Sequence, residues 1–271
     1  MLLHIFSLIK SKKIIWFFRG NGRIEKGTYS YGFSKNALIV GNIVYLKYKV
    51  EQRFVDSLRT RDMRFLLPYK HPHIVSFDYN NLIIAEDRIF GISFNATLNT
   101  LIKLLRKYTS SFKTNVFYNA EIKLLNKKQK VVYCVQHGDF QPENFLIDND
   151  IQVFDLDNIN FFPLFYDVFF LVFLHFKNDE IEYLFLSKTL EKSFNELLKN
   201  CGIHVEETLF DVYLYVFCKE LLSEKNLYNR FLYAKRIRDL NYIFSKFLNQ
   251  DLAILINKET EILTQNSSNY N

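Results

Sequence analysis

Residues 135–157 read VQHGDFQPENFLIDNDIQVFDLD. Polar side chains there are packed between apolar runs. Residues 131–135 are mostly β-branched, and residues 145–147 and 151–154 flank Asp148-Asn149-Asp150, so the second pair reads as a hairpin. His137-Gly138-Asp139 ends the first strand, Asn144 follows in the next loop, and Asp155-Leu156-Asp157 ends the hairpin. Acids and amides at the ends of rigid strands can fix hard oxygen ligands for Mg²⁺. A lone His-Gly-Asp is usually a turn with a satisfied histidine. The ordered set of His-Gly-Asp, Pro142, Asn144 and Asp155 on strand, loop and hairpin is far more specific.

The flanks have two characters. Residues 27–34 (GTYSYGFS) and the apolar run 37–40 lead into Gly41-Asn42, and the β-rich run 43–47 completes a hairpin pattern. Residues 51–67 keep helical spacing at Phe54, Leu58 and Phe65 and stop at Pro68. Residues 74–77 and 82–85 read as two further strands around Asp78-Tyr79-Asn80-Asn81. After Gly91, residues 95–125 read as helix with Leu98, Leu101, Leu104 and Leu105 on one face, followed by a basic boundary at Lys123, Lys127, Lys128 and Lys130. From Asp167 to about Leu263 the chain reads as helix throughout, and a polar tail from Thr264 is expected to fray. The expectation is an α+β chain. Residues 1–91 form a small β-rich lobe with its hinge at 84–91. Residues 92–271 form a large helical lobe carrying a loop at 137–144 and a hairpin at 145–157.

Composition narrows the function classes. The 271 residues are 49% hydrophobic and 24% charged, which excludes a disordered chain, a collagen and a small disulfide scaffold. Aromatics reach 17%, with 28 Phe. A net charge of +6 (35 basic against 29 acidic residues) admits an anionic partner, although a solvated basic surface is the plainer reading. Three scattered cysteines without a CxxC suit a reducing, cytoplasmic setting. The start, MLLHIFSLIKSKK, carries its charges after the apolar run and reads as a packed first helix rather than a signal peptide, with peripheral membrane contact as the alternative. Residues 161–176 (FFPLFYDVFFLVFLHF) fall short of the roughly 20 apolar residues a span needs and include Pro163, Asp167 and His175, so they read as a buried core helix. No GxSxG, HExxH or Walker A pattern occurs.

HGDFQPENFLI followed by VFDLD resembles the aminoglycoside phosphotransferase and choline kinase superfamily, relatives of the protein kinases with His-Gly-Asp in place of His-Arg-Asp. The resemblance extends over residues 27–174. It implies a protein-kinase-like bilobal fold and an ATP- and Mg²⁺-dependent transfer of the γ-phosphoryl group to a small-molecule hydroxyl. Carried over, Asp139 is the catalytic base, Asn144 and Asp155 hold metal, His137 and Gly138 brace the loop, and Gln141 and Pro142 shape it. Asp157 falls where the family often has a second acid. Gly32 and Ser34, within GFSKN, are similar to the family's nucleotide-binding loop. Lys47 is similar to its phosphate-pairing lysine, with Lys49 as the fallback and Lys35 as a further cation. The next helix should bring an acid to that lysine; Asp62 is the choice and Asp56 the second, where the family uses Glu. Glu86 and Asp87 lie in the segment whose backbone meets adenine, with Ile39 or Leu46 above the base and Val153 below. Asp167 matches the family's helix-starting Asp and reads as a structural cap. In the folded chain Asp139, Asn144 and Asp155 should converge on one cleft facing Lys47.

The acceptor is left open among a sugar or cell-envelope glycan precursor, a choline-like amino alcohol and an aminoglycoside, with the glycan preferred. Glu206, Glu207, Asp211, Glu220, Glu224 and the many aromatics lie in the region where the family binds its acceptor. Two other classes compete: a kinase-like nucleotide-binding module without turnover, against which the full Asp139, Asn144 and Asp155 set argues, and a basic nucleic-acid-binding protein, for which there is charge but no motif. No nucleic-acid partner and no transmembrane span are expected.

Overall fold

A two-residue turn sets the first sheet. Gly41 takes φ 59 between β2 (Lys35–Val40) and β3 (Ile43–Tyr48), so Val40 faces Ile43 and, at the far end, Lys35 faces Tyr48. With β1 (Gly27–Tyr31), β4 (Ile74–Asp78) and β5 (Ile83–Asp87) these strands make an antiparallel sheet of order β1-β2-β3-β5-β4. Period-two alternation gives it two buried faces. Leu38, Tyr45, Ile83 and Ala85 pack on one, and Leu46, Tyr48 and Ile84 pack on the other with Phe54 of α1 (Glu51–Asp62). The computed structural model describes residues 27–31, 35–112, 117–203, 209–224 and 226–267.

Past residue 91, β6 (Ile92–Ser93) joins the hairpin of β9 (Phe145–Ile147) and β10 (Ile151–Val153). A third sheet, β11-β8-β7, is built from β7 (Phe117–Leu124), β8 (Lys127–Gln136) and β11 (Asn160–Pro163). Among the described residues seven helices follow β11: α3 (Tyr166–His175), α4 (Asn178–Leu186), α5 (Thr189–Asn200), α6 (Leu209–Leu222), α7 (Leu227–Asp239), α8 (Asn241–Phe247) and α9 (Gln250–Ser267). The result is the expected α+β chain: a small antiparallel sheet with one helix, and a mainly helical lobe, in the bilobal protein-kinase-like arrangement.

Three expectations need correcting. Helix α2 (Leu98–Ser111), started by a Thr97–Thr100 capping box, ends well before Leu125. Residues 117–124 are a strand instead, because FYNAEIKL alternates well enough to pair along its whole length with β8. The aromatic run 161–176 is not one helix: its first residues form β11 against β8, Phe165 turns the chain at φ 74, and helix begins only at Tyr166. Helix α9 continues through Thr264 to Ser267.

The aromatics fill the helical core. Phe169, Phe173, Phe194, Phe210 and Phe217 are buried and meet mostly edge-on or tilted, as between Phe169 and Phe210 at 5.6 Å. Among the described residues no helix is long and apolar enough to cross a membrane. The two lobes are joined by backbone as well as packing: Lys70 N–H donates to the Ile151 carbonyl at 3.0 Å, and Val153 N–H donates to the Lys70 carbonyl at 2.8 Å.

Candidate active site

The loop after β8 is held from below by one carboxylate. Asp167, in the first turn of α3 and fully buried, accepts from the His137 N–H (3.0 Å), the Gly138 N–H (3.0 Å) and the Tyr69 hydroxyl (2.9 Å). The expected helix cap is therefore a loop anchor: no side chain caps α3, and Asp167 spends both oxygens on the neighbouring loop. Burial pushes its carboxyl above the usual range, and the donors at His137, Gly138 and Tyr69 work against that rise. Gly138 sits at φ 78, and a Cβ there would lie 2.5 Å from both the Asn158 carbonyl oxygen and the Phe162 ring. Only glycine fits this conformation and this space. The buried His137 ring donates from Nε2 to the Phe154 carbonyl (2.7 Å), which leaves Nδ1 as the acceptor for the Asp139 N–H (3.4 Å). The ring thereby links the loop to the end of the hairpin.

Above this base the three principal residues meet. Asn144 Nδ2 donates to Asp139 Oδ2 at 2.9 Å and to the Asp139 carbonyl at 3.0 Å. Gln141 Nε2 reaches the same Oδ2 at 3.4 Å. Burial raises the Asp139 pKa; His137 counteracts this, and the neighbouring charge of Asp155 adds to it. Asp155 stands at φ 59, beyond the end of β10. Asn144 and Asp155 both line a cavity of about 560 Å³ between the lobes, within the usual range of a small-molecule site.

The cation facing the acids is Lys35, not Lys47. Lys35 Nζ lies 2.5 Å from Asp155 Oδ1 and 2.5 Å from Asp157 Oδ2. Side-chain alternation explains the difference. Ala37 faces Leu46 and Lys35 faces Tyr48 on the cleft side, whereas Lys47 pairs with Asn36 and Ile83 and hydrogen-bonds the Asn81 carbonyl. Lys49 lies past the strand and is exposed.

The expected helix acid is absent from the cleft as well. Asp62 is exposed and Asp56 accepts from Gln52 at 2.8 Å. The buried positions of α1 are Phe54, Ser57 and Arg61. Arg61 pairs through Nε with Glu86 Oε1 (2.5 Å) and through Nη1 with Asp157 Oδ1 (2.8 Å). Ser57 (2.6 Å) and Tyr48 (2.8 Å) donate to the same Asp157 oxygen. Burial would raise the Asp157 carboxyl, but Lys35 and Arg61 outweigh it and hold the group below the usual range. Asp157 is thus a structural tie between the lobes, satisfied by protein donors. Sequence reasoning missed Arg61 and its pairing with Glu86.

The cavity walls match the expected base pocket in part. Ile39 and Leu46 line it, with Ala37 and Val44; the lower wall is Leu146 and Phe154, while Val153 is buried in the core and takes no part. Glu86, Asp87, Arg88 and Ile89 form the hinge-side edge. The Glu86 side chain is occupied by Arg61, and Asp87 N–H donates to the His73 carbonyl at 2.9 Å. Gly32 and Ser34 lie outside the described residues, as do Glu206 and Glu207.

A divalent cation fits this donor set. The amide nitrogen of Asn144 is committed to Asp139, so its carbonyl oxygen would be the ligating atom, and Asp155 would supply one carboxylate. One or two protein oxygens, completed by substrate phosphate and water, suit Mg²⁺. No cluster of three or more His, Cys, Asp or Glu ligands occurs among the described residues.

The fold is a bilobal α+β arrangement with the candidate site in the cavity between the lobes. Residues 105–184 match the model of the Phosphotransferase enzyme family. That stretch holds Asp139, Asn144, Asp155 and Asp167. No curated protein matches the chain. Similar solved structures include a choline/ethanolamine kinase family protein from Mesorhizobium loti (10% identity, 90% of this chain and 94% of that one, TM-score 0.46). Amicoumacin kinase hAmiN, in complex with AMP-PNP, Ca²⁺ and Ami, is another (11%, 96% and 96%, TM-score 0.46). A third is choline kinase LicA from Streptococcus pneumoniae (11%, 94% and 98%, TM-score 0.46).

Proposed function

We propose that the chain is a small-molecule kinase, moving the γ-phosphoryl group of ATP to an acceptor hydroxyl with Mg²⁺ bound at Asn144 and Asp155. The observation that carries this reading is one interlobe cavity with apolar walls, lined at its acidic end by Asn144, Asp155 and a lysine, with Asp139 hydrogen-bonded to Asn144 beside it. Residues 1–91 would hold the nucleotide, its base between Ile39 and Leu46 on one side and Leu146 and Phe154 on the other, beside the hinge backbone of residues 86–89. The loop 137–144 and hairpin 145–157 of the second lobe would hold the metal and the acceptor. Mg²⁺ would neutralise phosphate charge as it builds. Asp139 would orient the acceptor hydroxyl and take its proton, aided by a pKa that burial has raised.

An acidic, aromatic corner beside Asp139 favours a cationic amino alcohol over a neutral glycan. Tyr233 is pushed up to about 12 by burial, with the charges of Asp139 and Glu224 adding to the rise. Tyr166, stacked on Phe162 at 4.2 Å, feels Tyr233, Glu220 and Glu224, and the Tyr133 hydroxyl donates to Glu220 at 3.3 Å. Rings and carboxylates together suit an ammonium group. Three free cysteines among the described residues fit a cytoplasmic setting.

The second reading, a nucleotide-binding module without turnover, is favoured by Tyr48, Ser57 and Arg61 standing where a lysine–acid pair was expected. One experiment separates them. The protein is incubated with ATP, Mg²⁺ and a panel of amino alcohols and sugars, and products are read by mass. Phosphorylated product that falls by at least about a hundredfold in Asp139→Asn supports the kinase. Nucleotide binding with no turnover on any acceptor, and no slow ATP hydrolysis, supports the module.

A further inference from the structure

Strand β2 carries a gradient of chemistry along the cavity. Its cleft-facing residues are Lys35, Ala37 and Ile39, and all three line the cavity. Ile39 and Ala37 give the apolar end a wall; Lys35 stands at the opposite end, beside Asp155. Strand β3 offers no ammonium on that face. Its cross-strand partner for Lys35 is Tyr48, which is buried and held by Ser57 and Asp157. A lysine at position 48 would stand beside the buried guanidinium of Arg61, a like charge in a poorly solvated place.

We propose that Lys35 of β2 is the side chain that grips the phosphate tail of the nucleotide, and that Lys47 of β3 has no part in this. The inference rests on the nucleotide-binding reading above. The two acids that Lys35 touches are not equivalent. Asp157 Oδ1 keeps three donors without it, from Tyr48, Ser57 and Arg61. Asp155 has a side chain 37% exposed and, among the described residues, no ion pair besides Lys35, so it is the partner Lys35 gives up when that carboxylate takes a metal. Lys35 then exchanges one oxygen anion for another, a phosphate oxygen, while its contact with Asp157 keeps the ammonium in place. The Lys35 side chain is 13% exposed, so it stays largely desolvated and its pull on an anion is little screened. Each phosphate contact of this kind is a charge-assisted hydrogen bond.

The test measures binding rather than turnover. Equilibrium dissociation constants for ATP and for adenosine are determined calorimetrically, with Mg²⁺, for the wild type, Lys35→Met, Lys35→Arg and Lys47→Met. Adenosine is the internal control, since it reports an intact base pocket without using the phosphate end. Lys35→Met should weaken ATP by about ten- to a hundredfold, the factor of one lost charge-assisted hydrogen bond, with adenosine unchanged within about twofold. Lys35→Arg should keep most of the ATP advantage, and Lys47→Met should keep all of it. If Lys47→Met loses the advantage and Lys35→Met retains it, the assignment is wrong although the nucleotide site stands. An equal loss of ATP and adenosine in both Lys35 variants means that Lys35 only holds the lobes together, and also overturns it. If the wild type binds neither ligand, the underlying nucleotide reading falls and takes this assignment with it.

Discussion

Asp167 offers the sharpest quantitative prediction, because its whole role is written in three hydrogen bonds. The carboxylate is fully buried and accepts from the backbone of His137, the backbone of Gly138 and the Tyr69 hydroxyl. Asp167→Ala removes all the acceptors at once. Two backbone N–H groups are then left without partners in a site too tight for easy hydration. An orphaned buried donor costs about 1–3 kcal/mol, and because the three share one acceptor their losses do not simply add, so Asp167→Ala should destabilise by about 3–5 kcal/mol. Asp167→Asn is milder. Its single carbonyl oxygen can replace Oδ2 for His137 and Tyr69, but its amide then confronts the Gly138 N–H. One orphaned donor sets the loss at about 1–3 kcal/mol, reduced by relief of the buried charge.

Urea unfolding followed by circular dichroism measures both values, and hydrogen exchange at His137 and Gly138 locates the effect. The order Ala worse than Asn, with protection lost first at these two amides, is the expected result. The pH dependence follows from the raised pKa. The unfolded chain gives up this proton before the folded one does, so stability falls as pH rises from about 4, the unfolded value, through the folded pKa. In Asp167→Asn that limb should vanish. An Asp167→Ala protein within about 1 kcal/mol of wild type, with unchanged exchange at His137 and Gly138, would refute the reasoning, because an orphaned buried donor cannot be that cheap.

Other expectations follow from the same geometry. Gly138→Ala combines a positive φ with overlaps at Asn158 and Phe162 and should cost about 2–4 kcal/mol in the same unfolding assay. Arg61→Met leaves Glu86 buried and unpaired and should destabilise by about 3–5 kcal/mol, whereas the double variant Arg61→Met/Glu86→Leu should recover most of it; a double variant no better than the single would contradict the pairing. Asp157 has a depressed pKa, so its contribution is present above the unfolded value of about 3.9 and is lost as pH falls through the lower folded value. Acid unfolding monitored by tryptophan-independent circular dichroism should therefore lose one steep component in Asp157→Asn.

How much of this was legible in the chain depends on whether the deciding contact is local. The hairpin turn at Gly41-Asn42 is a short-range pattern and lands where its spacing put it. The polar set between residues 137 and 155 is local as well, with Asn144 bonded to Asp139 and Asp155 at the end of the hairpin. The helix from residue 51 instead ends at Asp62, before the stop expected at Pro68, and a separate single turn at Arg64–Leu66 follows it. The helix expected over residues 95–125 overruns strand β7 because the alternation of FYNAEIKL does not decide between the two states alone; the partner strand β8, across the turn at Leu125 and Asn126, settles it. Strand β11 was hidden inside an aromatic run in which both faces are apolar, so no period stood out.

The lysine shows why a residue type in the right strand is weaker evidence than its register. Lys47 lies one residue from the cleft-facing Leu46, and a single step along a strand reverses the face. Both faces of that sheet are buried, by Leu38 and Tyr45 on one side and by Leu46 and Tyr48 on the other, so hydrophobic alternation could not say which one held the cleft. The two-residue turn could have helped. Counting back from Val40 opposite Ile43 puts Lys35 opposite Tyr48, and Lys35 is the only cation of the hairpin sharing a face with the apolar residues Ala37 and Leu46. Once Asp155 and Asp157 stand on the other side of that cleft, the buried ammonium is fixed by charge as well as register. The acid expected on α1 then loses its purpose: with the cation supplied from β2 and already paired to two carboxylates, the helix carries Ser57 and Arg61, donors that serve Asp157 instead.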